Sequence, residues 1–421
     1  MLKYYNIWVL FTLSLFYLGP ISWPHQQSWM VAAVVLSCLV FFNLGTLFGR
    51  KLPVLPAYNF AKLDNKAVTY AVIVIFILLS QLHVKSLTGQ SILNPMNYSL
   101  SFGDVYSNFQ QTLKGRSVSA GSLEGISLIL KAAILPLVIF LFVINFNRNK
   151  GILLLLIFPF IASGMMRGTD KEGVDIGIYL LILAYYHKIL GRRSLIALGL
   201  LAVLVVLFME RKMARFGVNL PPCLPGLPEA CFDFDNLLAR YVSPSMEFVR
   251  LLLTNYITQG YEGLGRALEI PFEANFGFGH IPVVKGKICQ FFGMMCEMQS
   301  FGDKLPDYGW NTLHRWQSVY TFLANDFHWF FLPLYFSYLG ALFKVSERSW
   351  YENRDIISLT LLLLISVFFV YSSANMQLTI SLGWATVYLT VFCMQTVRVF
   401  RNKPKNLHCE MHSHNRYSEQ L

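Results

Sequence analysis

Ten largely apolar runs, most of them long enough to cross a bilayer's hydrocarbon layer as a helix, constrain this chain more than any motif does. They cover residues 4–22, 29–48, 67–83, 126–146, 152–166, 174–187, 195–209, 319–343, 356–372 and 378–397. The fifth and sixth are the shortest. An all-α polytopic membrane protein of about ten transmembrane helices is the expected fold, and one long polar stretch, 210–318, interrupts it. Helices one to seven then occupy 1–209, a large external loop 210–318, helices eight to ten 319–397, and a tail 398–421.

Composition agrees, since 55% of residues are hydrophobic and 14% charged, too lopsided for two or three soluble domains. The net charge of +11 would point a soluble chain towards nucleic acid. A membrane chain instead gathers Lys and Arg in its cytoplasmic connections, so no nucleic-acid partner is implied. Lys3, Arg50-Lys51, Lys62, Lys66, Arg148, Lys150, Lys188, Arg192-Arg193, Lys344, Arg348, Arg354 and the Arg398–Lys405 tail all fall on one side of the ten spans. That side is expected to be cytoplasmic, with both termini there and 210–318 outside. The first run lacks a small-residue cleavage site and reads as a span, not a cleaved signal. Trp8, Trp23, Trp29, Trp350 and Trp384 sit near span ends, where the headgroup region suits an indole.

Four of the seven cysteines, Cys223, Cys231, Cys289 and Cys296, lie in the external stretch, where an oxidising compartment permits two disulfides. Of the three pairings four cysteines allow, the local one, Cys223 with Cys231 and Cys289 with Cys296, is preferred.

Arginine is the starting point for chemistry, because its planar fork matches phosphate oxygens two at a time. Arg167 ends the fifth run, Arg211 and Arg215 leave the seventh, Arg240, Arg250 and Arg266 follow, and Arg315 precedes the eighth. Lys171 stands near Arg167 in the dense segment 167–172. Such a cluster at the membrane's outer surface suits a pyrophosphate whose lipid tail stays in the bilayer. The bland alternative pairs each arginine with one of the stretch's acidic residues. Two charges lie inside spans, Lys131 and Asp326, and intramembrane ionisable groups face a cavity or a partner. Lys131 is long enough to snorkel to the interface. Asp326 is not, and is the candidate general base for an attacking sugar hydroxyl; a structural pairing is its alternative. His280, within Phe276-Gly277-Phe278-Gly279-His280, and His314 are further acid–base candidates. No phosphate-binding Gly-rich loop, paired-His motif, Gly-x-Ser-x-Gly or Asp-x-Asp occurs, so no cofactor or metal is expected. The histidines at 408–414 read as a solvated tail.

At Tyr256-Ile257-Thr258-Gln259-Gly260-Tyr261-Glu262-Gly263-Leu264 and Phe276-Gly277-Phe278-Gly279 the chain resembles the O-antigen polymerases, the Wzy-type oligosaccharide repeat-unit polymerases. Residues 316–327 resemble the start of a late span of that group, and Ser163-Gly164-Met165-Met166-Arg167-Gly168 its arginine-bearing span end. The resemblance implies a C-type glycosyltransferase-like plan with the large loop periplasmic, in a bacterial inner membrane. It also implies an inverting, metal-independent transfer of a glycan from undecaprenyl pyrophosphate onto an undecaprenyl-pyrophosphate-linked repeat unit, with a chain-length regulator as a partner. Arg167 and Arg315 carry over as diphosphate contacts and Asp326 as a cavity-facing residue. Arg266 and Gln317 depart from the pattern. An O-antigen ligase shares the arginines and the loop. A lipid-linked-oligosaccharide flippase predicts two matching halves, which this chain lacks.

Overall fold

A computed structural model describes residues 1–58, 60, 65–94, 97, 123–168, 171–189, 223–224, 227–232, 244–294, 296–312 and 315–402. The described chain is mostly helical: α1 Leu2–Leu18, α2 Trp29–Gly49, α3 Lys66–Thr88, α4 Leu123–Arg148, α5 Lys150–Met166, α6 Lys171–Tyr186, α7 Pro244–Ala267, α8 Pro282–Phe292, α9 Phe301–Lys304, α10 Val319–Asn353, α11 Ile356–Val370 and α12 Leu382–Arg401. Among the described residues three helices are both long and apolar enough to cross a membrane, namely α2, α3 and the bulk of α4; α5 and α11 are apolar but shorter. The seventh expected span, 195–209, lies outside the described residues.

Helix starts follow local chemistry. Asn65, Asn149, Ser318, Asp355 and Ser381 each accept a first-turn N–H of α3, α5, α10, α11 and α12. Such caps satisfy donors that the helix itself leaves orphaned.

The tightest helix pair is α2 against α10, and its cause is steric. Gly45 and Gly49 are four apart, one turn of a single face, and a Cβ on Gly45 would lie 1.8 Å from the Ser337 carbonyl oxygen. Gly340 reciprocates, its missing Cβ making room for the Phe42 carbonyl at 2.1 Å. Small residues let the two backbones touch, as they do between membrane helices. Beside this seam an aromatic core closes, with Tyr5 stacked on Phe369 and Phe42 edge-on to it, each at 4.7 Å.

The two ends of the bundle differ. At one, Arg348 donates to the carbonyls of Arg50 and Leu52, Arg398 pairs with Asp355 at 2.7 Å, and the Met1 amine donates to Tyr185. At the other, β1 (Ile21–Ser22) pairs antiparallel with β3 (Leu227–Phe232), Ile21 opposite Phe232, and β3 pairs with β2 (Cys223–Leu224). There too Val319 N–H donates to Ser372, and Tyr371 to the Asp175 carboxylate. The disulfides Cys223–Cys231 and Cys289–Cys296 lie in the same part of the chain as these strands, in the pairing preferred from sequence.

Four expectations need correction. The stretch 210–318 is not irregular throughout: it contains the 24-residue α7, whose buried Tyr261 and Leu264 join the helical core, with Tyr261 3.0 Å from the Thr12 hydroxyl of α1. Its polar face hid it, because an amphipathic helix has no long apolar run. The eighth span is broken at His328, whose φ of 53° and ψ of 160° are not helical. Residues 371–381 turn before α12 begins at Leu382, four residues later than expected. Finally, Trp23 and Trp350 are buried packing residues and not interfacial anchors; the Trp350 indole donates to the Tyr186 carbonyl.

Candidate active site

The site is built where the break in α10 meets the loop 275–281. That loop turns through Phe276 at φ 46° and Gly277 at φ 90°, the left-handed region that glycine enters without strain. Gly279 is held so close that a Cβ would lie 2.3 Å from the Asn325 Cβ. Asn325 clasps the loop on one side, donating to the Gly279 carbonyl at 3.3 Å and accepting from Phe301 N–H at 2.6 Å.

Asp326 clasps it on the other. Its Oδ1 accepts from the N–H groups of Gly277 (2.8 Å) and Gly279 (3.0 Å), and its Oδ2 accepts from His280 N–H (2.7 Å). The same Oδ2 stands 2.5 Å from His280 Nδ1. Both oxygens are therefore occupied, and the carboxylate does not offer a lone pair to a substrate hydroxyl as a general base would. It acts on the imidazole. A proton on Nδ1, facing the carboxylate, makes Nε2 the basic nitrogen, and among the described residues no group bonds that Nε2. The His280 side chain is 14% exposed against 4% for Asp326, so the histidine is the member of the pair that something else can reach.

Next to the loop lies a cavity of about 200 Å³ lined by Gly279, Ser300, Asp303, Thr312, Gln317 and Asn325 among others. Its walls are rich in hydrogen-bonding groups. Burial pushes the Asp303 carboxyl up, but the Lys285 ammonium and the two Ser300 donors outweigh it and leave the group below its usual range. Gln317 is 5% exposed, and its Oε1 is buried without a partner. A buried amide oxygen left unanswered costs about 1–3 kcal/mol, which a donor bound in the cavity would recover. In the sequence Gln317 stands out only as a departure from the resembled pattern, which does not signal a buried acceptor.

A second polar knot centres on α7. Glu262, fully buried on α7, accepts from His25 N–H at 3.0 Å, His25 Nδ1 at 2.8 Å and Arg266 Nε at 2.8 Å. Arg266 also donates to the Tyr308 carbonyl and to Glu229. The guanidinium groups of Arg266 and Arg315 lie 5.9 and 5.3 Å from the Trp310 ring. Burial and the neighbouring Arg266 lower the Arg315 pKa from its usual value. Arg266, which departs from the resemblance, thus earns its place as a structural ion pair. His25 gave no signal in the sequence beyond its position in a short turn.

The other expected site residues are dispersed. Arg167 follows α5, its Nε donating to the Ser163 carbonyl and its Nη2 to Glu172. Asp175, on the same helix as Glu172, accepts from Tyr371 and Gln377. Asp175, not Arg167, thus reaches the 371–379 turn, which the segment following Arg315 also meets, Val319 N–H donating to the Ser372 carbonyl. Arg250 pairs with Glu247 on its own helix at 2.7 Å. Lys171 begins α6, but its side chain lies outside the described residues, as do Arg211, Arg215 and His314 entirely. Among the described residues no group of three His, Cys, Asp or Glu side chains is placed to hold a metal.

No family model, curated protein or solved structure matches this chain.

Proposed function

We propose that the protein is a glycosyltransferase that polymerises lipid-diphosphate-linked oligosaccharide repeat units at the non-cytoplasmic face of a bacterial inner membrane. The observation that carries the reading is the His280–Asp326 pair set beside a polar cavity. His280 Nε2 takes the proton of an acceptor sugar hydroxyl as its oxygen bonds the donor's anomeric carbon, and the glycosidic bond to the lipid diphosphate breaks on the opposite face. Asp326 fixes the tautomer and offsets the charge of the imidazolium that forms. The cavity's Gln317, Thr312 and Asp303 hold the hydroxyls of the acceptor sugar. Arg167 and Arg315, at the same end of the bundle, are the diphosphate contacts of this reading.

Three further observations support it. The end of the bundle opposite the site carries Arg50, Arg348, Arg354 and Arg398, the bias expected of a cytoplasmic side. The site's own stretch carries two disulfides, which belong in an oxidising compartment. The resemblance to the Wzy-type polymerases includes residues that build the site, Phe276-Gly277-Phe278-Gly279 and, within 316–327, Asn325-Asp326.

Deleting the gene tests the reading. Loss of the polymerase leaves lipopolysaccharide with single repeat units in place of a ladder. Full-length polymer stranded on its lipid carrier would instead identify a ligase, and an unaltered ladder would reject both.

A further inference from the structure

Away from the cavity beside Gly279, α3, α4 and α5 carry buried polar groups, several of which no described residue answers. α3 and α5 run in the same direction, with Phe76 packed on Phe160 at 5.3 Å. Lys131 of α4 reaches over the Phe76 ring, its Nζ 5.9 Å from the centroid. Among the described residues no carboxylate or carbonyl bonds that ammonium. One helical turn further along each helix of this pair come Ser80 (0% exposed) and Ser163 (5% exposed), both with buried hydroxyls that no described residue answers. About a turn beyond them stand His83, whose Nδ1 is buried and unpartnered, and Arg167, whose guanidinium is shared with Glu172.

The groups left over are an ammonium, two hydroxyls and an imidazole. All can donate, none of the four is an acid, and the neighbouring carboxylate, Glu172, is already held by Arg167. Burying such groups without acceptors is costly, so the arrangement asks for a multidentate anion. Phosphate oxygens fit a lysine point charge with an arginine fork at the mouth. The depth favours a headgroup still attached to its tail. Lys131 is eight residues from the start of α4, about 12 Å along its axis, and the outer faces of α3 expose Ile75, Leu78 and Leu82, an apolar wall along which an acyl or prenyl chain can lie.

We propose that Lys131, Ser80, Ser163 and His83, with Arg167 at the entrance, form a seat for the phosphate oxygens of a lipid phosphate ester. None of its residues lines the cavity beside Gly279. The seat rests on the glycosyl-transfer reading only for the identity of that ester, a polyprenyl diphosphate. One lipid-linked substrate would then be anchored here while its sugar extends to the catalytic histidine.

The test uses the full-length protein purified in nanodiscs of neutral lipid, with binding read by native mass spectrometry and by thermal stabilisation. The probes are a glycan-free polyprenyl diphosphate, inorganic pyrophosphate and phosphatidylglycerol. The polyprenyl diphosphate is expected to bind and stabilise the wild type. Lys131→Met is expected to weaken it by about tenfold or more, the loss of one charge-assisted contact, and the double variant Ser80→Ala, Ser163→Ala severalfold. The double variant keeps the test open if Lys131→Met does not fold. Pyrophosphate binding as tightly as the lipid would retain the oxyanion seat and overturn the lipid as its source. Undiminished lipid binding by both variants, or equal binding of phosphatidylglycerol, would overturn the site itself. Because the probe carries no sugar, the result is independent of the ladder assay: binding here with an intact ladder in the deletion strain rejects the glycosyl-transfer reading alone.

Discussion

Asp326→Asn is the most informative single change, because the carboxylate is answered by four donors and an amide can accept from only two of them. With the amide oxygen turned to Gly277 and Gly279, the amide NH₂ faces the N–H groups of His280; turned over, it faces the two glycine N–H groups. Turned over, two hydrogen bonds to a charged group are lost. In the first orientation the His280 N–H loses its acceptor, Nδ1 keeps a partner only by moving its proton to Nε2, and every remaining bond loses its charge, a loss equivalent to about two charge-assisted bonds. At about 1.5–3 kcal/mol each, the loop 275–281 loses about 3–6 kcal/mol of local stability, and its opening constant rises by about two to four powers of ten. Hydrogen exchange of the Gly277, Gly279 and His280 amides reads that opening directly. The expected result is fast exchange confined to this loop, with the amides of α2 and α11 unchanged. Exchange within a few-fold of the wild type at all three amides would refute the clasp and, with it, the assignment of Asp326 as the residue that positions His280.

Two further outcomes follow from packing and charge. Gly45→Ala puts a methyl 1.8 Å from the Ser337 carbonyl, so α2 and α10 must separate; a loss of about 1–3 kcal/mol, seen as a lower melting midpoint in detergent, is expected, and an unchanged midpoint would contradict the close seam. His25 has its pKa raised by its hydrogen bond to Glu262, which outweighs the opposing effect of burial. Its proton is therefore held more tightly in the folded protein, and the stabilisation is complete below about pH 6.5 and fades as the pH climbs through the raised value. The melting difference between wild type and His25→Asn is expected to be largest at acid pH and to shrink on the alkaline side; a difference independent of pH would place the role of His25 in packing alone.

Much of the scaffold was legible because membrane-type helices are written as uninterrupted apolar runs, and α2, α3 and α4 begin and end within a few residues of those runs. Both disulfides were legible because each closes a short loop. α7 was not, since its apolar residues occupy one face among Glu, Gln, Asn and Arg and only its contacts with α1 and α10 show which face is buried. The break at His328 was hidden as well, in a run whose hydropathy continues through it. Asp326 and His280 were each marked from sequence, but as independent candidates. They are 46 residues apart, and the backbone turn that brings three N–H groups onto one carboxylate exists only after the loop folds onto α10. The Gly45-x₃-Gly49 spacing in an apolar helix was readable in principle and is the clearest signal overlooked. His25 carried none and Gln317 only its departure from the resembled pattern, because a lone buried polar residue is defined by its neighbours.

The account centres on His280 as the group that takes the acceptor's proton, and complementation of the deletion strain tests it most directly. His280→Ala is expressed to the wild-type level in the membrane, with both disulfides confirmed formed, and the lipopolysaccharide is resolved on a gel. A profile of single repeat units is expected, matching the deletion; a wild-type ladder would contradict the central claim.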